Sequence, residues 1–249
     1  MAQPLVVAHR GASSTCPENT LPAIAEALAL GADVIELDVH AAADEVAVLM
    51  HDRALARTTG RAGNIDALTA AELARLDAGA GHGARFKGTG VPGLGDAVAL
   101  IAGRDVSLCL EFKDGEYRRA DLAAAWLVAR FAEFSLHGRA VANLPRAVAA
   151  QVARRDPRIR LVLDCEERPR DAQDAAAIAA DLAAAGAHAV EYEQSRVTPE
   201  AVHACRRLGL PVWAWTANDP TDWRRLMAAG VDAILTDDPG GLLRHLGRR

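Results

Sequence analysis

Short apolar runs punctuate the chain at 5–8, 33–39, 46–50, 106–112, 140–142, 159–164, 188–192, 212–215 and 232–236, each bounded by polar or turn-forming residues. Runs of this length, rich in Val, Ile and Leu, read as buried strands. Between most of them the apolar positions recur at helical spacing, over 20–30, 94–102, 118–134, 145–155, 171–185, 199–208, 220–229 and 239–246. Strand and helix in alternation predict a parallel sheet. Eight of the strands would close an α/β fold of the (β/α)8 TIM barrel type, with residues 1–249 forming one domain.

The run at 46–50 stands apart, because the few residues separating it from 33–39 cannot hold a crossover helix. It must return as a hairpin. With Asp44 and Glu45 as the central turn residues, paired positions sum to 89, which sets His51 opposite Asp38 on one face. Residues 52–93 carry little strand pattern; Thr69 and Glu72 form a capping-box signature, and the glycines from 79 to 93 mark loops. The stretch from about 44 to 93 therefore reads as a small insertion after the second barrel strand, covering one mouth. Its "GTGVPG" matches G-x-G-x-x-G by letter, but it follows no strand and contains Pro92, which argues against a dinucleotide-binding turn.

Composition narrows the partners. Lys and Arg number 28 against 33 Asp and Glu, for a net charge of −5 with no basic stripe, so nucleic acid is excluded as a partner. No run is long enough for a membrane span or a signal peptide. Aromatics make up only 4%, and the expectation is a cytoplasmic protein without stable membrane association. Cys16, Cys109, Cys165 and Cys205 form no C-x-x-C pair and read as reduced, packed thiols. The Ala-rich stretches are outer helices, since Ala is the best helix former. Nothing in the sequence speaks to oligomeric state.

The chemistry begins at "VIELDVH" (34–40), where Glu36 and Asp38 interrupt an apolar strand and share one face by its period of two. Two carboxylates side by side in a low-dielectric setting repel, unless a cation lies between them. Other polar residues gather where strands end: His9 and Arg10, His51, and Glu111 with Lys113. In a barrel these ends converge on one mouth. Glu36, Asp38 and Glu111 offer hard oxygen ligands suited to Mg2+ or Ca2+. Arg10 and Lys113 are donors fitted to phosphate, and His9 and His51 could divide acid and base work. A salt-bridged Glu111–Lys113 pair, structural histidines, and core positions for both Trp residues of "VWAW" are the plainer readings of the same residues taken singly.

The stretches "AHRGASSTCPENTLPA", "VIELDVH", "VAVLMHDRALARTTG", "LEFKD", "VWAWTAND" and "GVDAILTDDP", in this order, resemble the glycerophosphodiester phosphodiesterase family over most of the chain. The resemblance implies a (β/α)8 barrel that uses a divalent metal, Mg2+ or Ca2+, to hydrolyse small soluble glycerophosphodiesters to glycerol 3-phosphate and an alcohol. It implies Glu36, Asp38 and Glu111 as metal ligands, His9 and His51 as the acid/base pair, Arg10 and Lys113 as phosphate contacts, and Trp215 at the glycerol end of the pocket. Glu18 and Asn19 of "PENT" would brace the loop after the first strand. Two departures stand out: the turn often written Asp-Gly is Asp44-Glu45 here, and the Ser-Phe often found after the fifth strand is replaced by "AVANLPR".

Two rival readings stand beside this one. Lys113 could serve as the Schiff-base amine of an aldolase-like barrel, although three carboxylates would keep it protonated. A phosphate-binding barrel without catalysis is the other.

Overall fold

The computed structural model describes residues 3–113 and 119–248; Asp114 of "LEFKD" and Arg118, the first residue of the predicted helix 118–134, lie outside them. Among the described residues nine strands are present: β1 (Leu5–Ala8), β2 (Val34–Ala41), β3 (Ala47–Leu49), β4 (Ser107–Phe112), β5 (Ala140–Asn143), β6 (Arg160–Cys165), β7 (Ala189–Glu193), β8 (Val212–Trp215) and β9 (Ala233–Thr236). Eight of them are parallel and close on themselves, in the order β1-β9-β8-β7-β6-β5-β4-β2, with β1 paired to β2. This is a (β/α)8 barrel, as the alternation of runs predicts.

Helices α1 (Leu21–Leu30), α4 (Leu94–Leu100), α5 (Ala120–Glu133), α6 (Arg146–Arg155), α7 (Ala172–Ala184), α8 (Pro199–Arg207), α9 (Pro220–Ala229) and α10 (Pro239–His245) form the outer ring. One phase of the strand residues, among them Ile35, Leu37, Leu108, Leu110, Leu161 and Leu163, packs outward against the helices as the principal core. The other phase points inward, and here the sequence divides by height. Val7, Val34, Cys109, Val162, Ala189, Trp213, Ala233 and Leu235 plug the barrel with an apolar cluster. One pleat further toward the C-terminal ends, the inward phase carries Glu36, Glu111, Asn143, Asp164, Glu191 and Trp215. The period of two thus converts a change of residue type along each strand into a sealed base and a polar mouth.

Strand β3 lies outside the ring, antiparallel to β2. Its register corrects the expectation: Val39 faces Leu49, His40 faces Val48 and Ala41 faces Ala47, so pairs sum to 88, not 89, and Met50, whose amide donates to the Asp38 carbonyl at 3.1 Å, falls opposite Asp38. The cause is the turn. Glu45 adopts φ 62° and its amide donates to the Ala42 carbonyl, giving a three-residue connection that ends in a left-handed residue, where two central residues were expected.

After β3 the insertion runs through α2 (Ala56–Thr59), a 3-10 turn at Ile65–Ala67, α3 (Ala70–Leu73) with the Thr69/Glu72 capping box, and 3-10 turns at Ala80–His82 and Ala84–Phe86. It has its own small core of Ala42, Val48, Met50, Leu55, Ile65, Leu73, Ala78 and Val91.

Candidate active site

The mouth is assembled first by the backbone after β1. Arg10 takes a left-handed conformation, φ 58°, followed by Gly11 at φ 81°. A Cβ on Gly11 would meet the Ala23 carbonyl carbon at 2.7 Å, so only glycine lets this turn seat against α1. The turn brings the Arg10 amide to Glu36, where it donates to Oε2 at 2.8 Å. Asn19, also left-handed at φ 57°, holds Asp38 from both sides: its Nδ2 donates to Oδ2 at 2.7 Å and its Oδ1 accepts from the Asp38 amide at 3.0 Å.

These contacts leave specific atoms unused. Glu36 and Asp38 are 3% and 1% exposed, yet among the described residues Glu36 Oε1 has no hydrogen-bond partner and Asp38 Oδ1 accepts no hydrogen bond, with the Lys113 ammonium 3.3 Å away. One oxygen from each of Glu36, Asp38 and Glu111 lies within 4.8 Å of the others. Buried, unpartnered carboxylate oxygens are costly unless a cation joins them. Hard oxygens converging at this spacing fit Mg2+ or Ca2+. The charge state agrees: burial, reinforced by Asp38 and Glu111, pushes Glu36 well above the usual carboxylate range, and burial with Asp38 pushes Glu111 up to about 7. Asp38 behaves differently. Burial works to raise it, but Lys113, Arg10 and His51 together hold it below its ordinary value.

Two cations flank the acids. Arg10 Nε lies 3.2 Å from Asp38 Oδ2, and Arg10 Nη1 donates to Glu18 Oε1 at 3.1 Å. The Lys113 ammonium donates to Glu111 Oε1 and stands 3.3 Å from Asp38 Oδ1. The plain pairing of Glu111 with Lys113 therefore exists, but within a cluster of three carboxylates and two cations.

Each histidine is held by a carboxylate through Nδ1. His9 Nδ1 is 2.7 Å from Asp237 Oδ1, and Asp237 is fixed in turn by Ser13 Oγ at 3.1 Å and Asn218 Nδ2 at 2.6 Å. His51 Nδ1 is 2.6 Å from Asp52 Oδ1, and His40 Nε2 lies 3.1 Å from the His51 carbonyl oxygen. Since a carboxylate only accepts, Nδ1 carries the proton in both rings and Nε2 is the nitrogen left for exchange. Burial draws the His51 pKa down, against the pull of Asp38 and Asp52. His51 thus reaches the acids by the bend after β3, not by the register expected of a two-residue turn.

Trp215 ends β8 in the inward phase and is 37% exposed, whereas Trp213 below it belongs to the apolar plug. One of the two Trp residues is core and the other is at the mouth. Beside Glu111 a cavity of about 520 Å³ is lined by Asn143, Asp164, Arg146, Glu166 and Glu167 among others. Asn143 is the last residue of β5, in the stretch where the sequence departs from Ser-Phe; its Nδ2 donates to Glu191 at 2.9 Å and to Asp164 at 3.3 Å. A second cavity, of about 500 Å³, includes His9, Arg10, Ser13, Asn218, Asp237 and His82.

The mouth thus brings together His9, Arg10, Glu36, Asp38, His51, Glu111 and Lys113, with Trp215 on its β8 side. Sequence reasoning missed Asp237, Asn218, Asp52 and Arg57. All four lie in stretches quoted for the family resemblance, but of these only Asp52 adjoins the residue it supports; Asp237 stands 228 residues from His9 and is joined to it by barrel closure.

A sequence model described as the glycerophosphoryl diester phosphodiesterase family matches residues 9–241. A glycerophosphodiester phosphodiesterase of Caldanaerobacter subterraneus subsp. tengcongensis is 31% identical over 242 residues, covering 96% of each chain. Among solved structures, an Oleispira antarctica phosphodiesterase in complex with the product sn-glycerol-3-phosphate superposes with TM-score 0.87 at 27% identity, covering 98% of this chain and 97% of that one. A glycerophosphodiester phosphodiesterase of Agrobacterium tumefaciens gives TM-score 0.78 at 27% identity, covering 96% and 98%.

Proposed function

The chain belongs to the glycerophosphoryl diester phosphodiesterase family, and from that premise we propose that it hydrolyses small soluble glycerophosphodiesters to glycerol 3-phosphate and an alcohol, with a divalent cation held by Glu36, Asp38 and Glu111. The observation that carries this reading is the convergence of oxygens from Glu36, Asp38 and Glu111 within 4.8 Å of one another, with the buried Glu36 Oε1 lacking a hydrogen-bond partner among the described residues, beside Arg10, Lys113 and two carboxylate-held imidazoles. Bound there, Mg2+ or Ca2+ would supply charge neutralisation at a phosphoryl oxygen.

Arg10 and Lys113 offset the remaining negative charge of the phosphate. The Arg10 guanidinium is steadied by Glu18 and Asp38, and Lys113 by Glu111 and Asp38, so both present fixed positive charge where the phosphoryl oxygens gain negative charge in the transition state. One histidine, as the neutral ring, accepts a proton at Nε2 from the attacking hydroxyl, and the other, as the imidazolium, donates its Nε2 proton to the departing alkoxide. Asp237 and Asp52 keep each ring in the tautomer that leaves Nε2 available. Trp215 supplies an apolar surface for the glycerol carbons. The acid-lined cavity beside Glu111 offers room for part of the diester beyond the phosphate.

The Schiff-base alternative fares poorly. Although burial works to lower the Lys113 pKa, Asp38 and Glu111 raise it overall, and a protonated amine is no nucleophile. Incubation with glycerophosphocholine and Mg2+ tests the reading: glycerol 3-phosphate and choline should appear in equal amounts, and formation of phosphocholine with free glycerol would reject it.

No helix among the described residues is long and apolar enough to cross a membrane. A small soluble substrate requires no such segment.

A further inference from the structure

From the insertion Arg57 reaches the catalytic face and touches two supports at once. Arg57, in α2, donates Nη1 to Glu18 Oε2 and Nη2 to Glu18 Oε1, both at 2.7 Å, and donates Nε to Asp52 Oδ2. Glu18 Oε1 also accepts from Arg10 Nη1, and Asp52 Oδ1 holds His51 Nδ1. A single guanidinium therefore links the carboxylate that steadies Arg10 to the carboxylate that orients His51. The chain of contacts runs unbroken from His51 through Asp52, Arg57, Glu18 and Arg10 to Asp38.

Stability is a poor reason for this arrangement. The Arg57 side chain is 47% exposed, and ion pairs open to solvent contribute little to folding. Geometry is a better one. A planar guanidinium uses three N–H groups in fixed directions, so it sets the angle between two carboxylates that a lysine, as a point charge, could not set. Both carboxylates are held in the ionised form. Burial works to raise each of them, but Arg57 and Arg10 bring Glu18 below its ordinary value, and Arg57 with His51 bring Asp52 down to about 2.

We propose that Arg57 is a positioning residue that couples the proton-transfer side of the site to the phosphate side, so that α2 of the insertion is a working part of the mouth and not only a cover. The proposal rests on the diester hydrolase reading given above. It requires that the effects of Arg57 pass through Asp52 to His51 and through Glu18 to Arg10.

The test uses the full chain with Mg2+ and compares the parent with Arg57→Ala, Arg57→Lys, Asp52→Asn, Glu18→Gln and the two doubles that join Arg57→Ala to each carboxylate variant. Arg57→Ala should lower kcat about tenfold and raise KM severalfold for glycerophosphocholine, with Arg57→Lys failing to restore either. Adding Asp52→Asn to Arg57→Ala should lower kcat by less than about twofold more, and adding Glu18→Gln should leave KM nearly unmoved. Fully multiplicative effects in both doubles, or single-variant constants within about twofold of the parent, would overturn the proposal.

A second readout needs no turnover. With ¹⁵N-labelled histidine, the Nδ1–H proton of His51 should give a low-field signal in the parent that is lost or broadened in Arg57→Ala, while that of His9, held by Asp237, is unchanged. An unchanged His51 signal would overturn the coupling. Loss of that signal in a protein whose parent does not cleave diesters would reject the hydrolase reading and leave the structural coupling standing.

Discussion

The imidazole of His9 meets the carboxylate of Asp237 at 2.7 Å, joining the end of the first barrel strand to the end of the last. Asp237 has further contacts to Ser13 and Asn218, so the ring is held through a braced carboxylate. His9→Ala should lower kcat by about 10²–10⁴-fold, the usual range for a proton-transfer group, with metal affinity kept. Asp237→Asn should lower kcat at least about tenfold with little change in KM, because the amide can donate to Nδ1 and stabilise the wrong tautomer. Steady-state kinetics on folded variants check both, and parent-like kcat in Asp237→Asn would show that His9 needs no orientation.

Metal uptake should be linked to protons. In the metal-free protein Glu111 is pushed up to about 7 and Glu36 well above the ordinary range, so binding a cation must displace protons from them. The sign follows: protons compete with the metal at low pH, and affinity for Mg2+ should rise as pH increases from about 6 to about 8. Calorimetry in buffers of differing ionisation enthalpy should record proton release on binding. Glu111→Gln should weaken affinity and flatten part of the pH dependence, and unchanged affinity would remove Glu111 from the ligand set.

At Gly11 the expected effect is on folding. Its positive φ and the 2.7 Å approach of Ala23 leave no room for a Cβ, so Gly11→Ala should cost about 1–3 kcal/mol. At about 2–4 °C per kcal/mol for a chain of this size, thermal melting should show it clearly. Melting at the parent temperature would mean that the turn relaxes freely.

Glu45 offers the opposite case. It occupies a left-handed position, and its carbonyl accepts from Trp126 Nε1 and Arg130 Nη1, both at 3.0 Å. Glu45→Gly keeps both backbone contacts and relieves the positive φ, so it should stabilise the protein by up to about 1 kcal/mol. Chemical denaturation would detect this, and a destabilised variant would indicate that the Glu45 side chain matters more than its backbone.

The amino-acid pattern announces the parts of this fold that depend on periodicity. Parallel strands buried on both faces appear as apolar runs, and Glu36, Asp38, Glu111 and Lys113 interrupt those runs in one phase, so spacing alone places them on one inner face. The hairpin register is not readable in the same way, because it depends on whether the turn has two or three residues, and a glutamate does not advertise that it will adopt φ 62°. The supports of the histidines are hidden for a different reason. Asp237 meets His9 only once the barrel closes, and Arg57 meets Glu18 only once α2 folds back over the mouth. Inner-face chemistry is written in strand phase, whereas the contacts that orient it arise from closure and loop packing.

The most direct test of the central claim is turnover of glycerophosphocholine by metal-stripped protein, followed through glycerol 3-phosphate. The account predicts no turnover in EDTA, recovery on adding excess Mg2+ or Ca2+, and no recovery at the same metal concentration in Glu36→Ala or Asp38→Ala that remain folded by circular dichroism. Undiminished cleavage in EDTA, or full recovery in either variant, would contradict it.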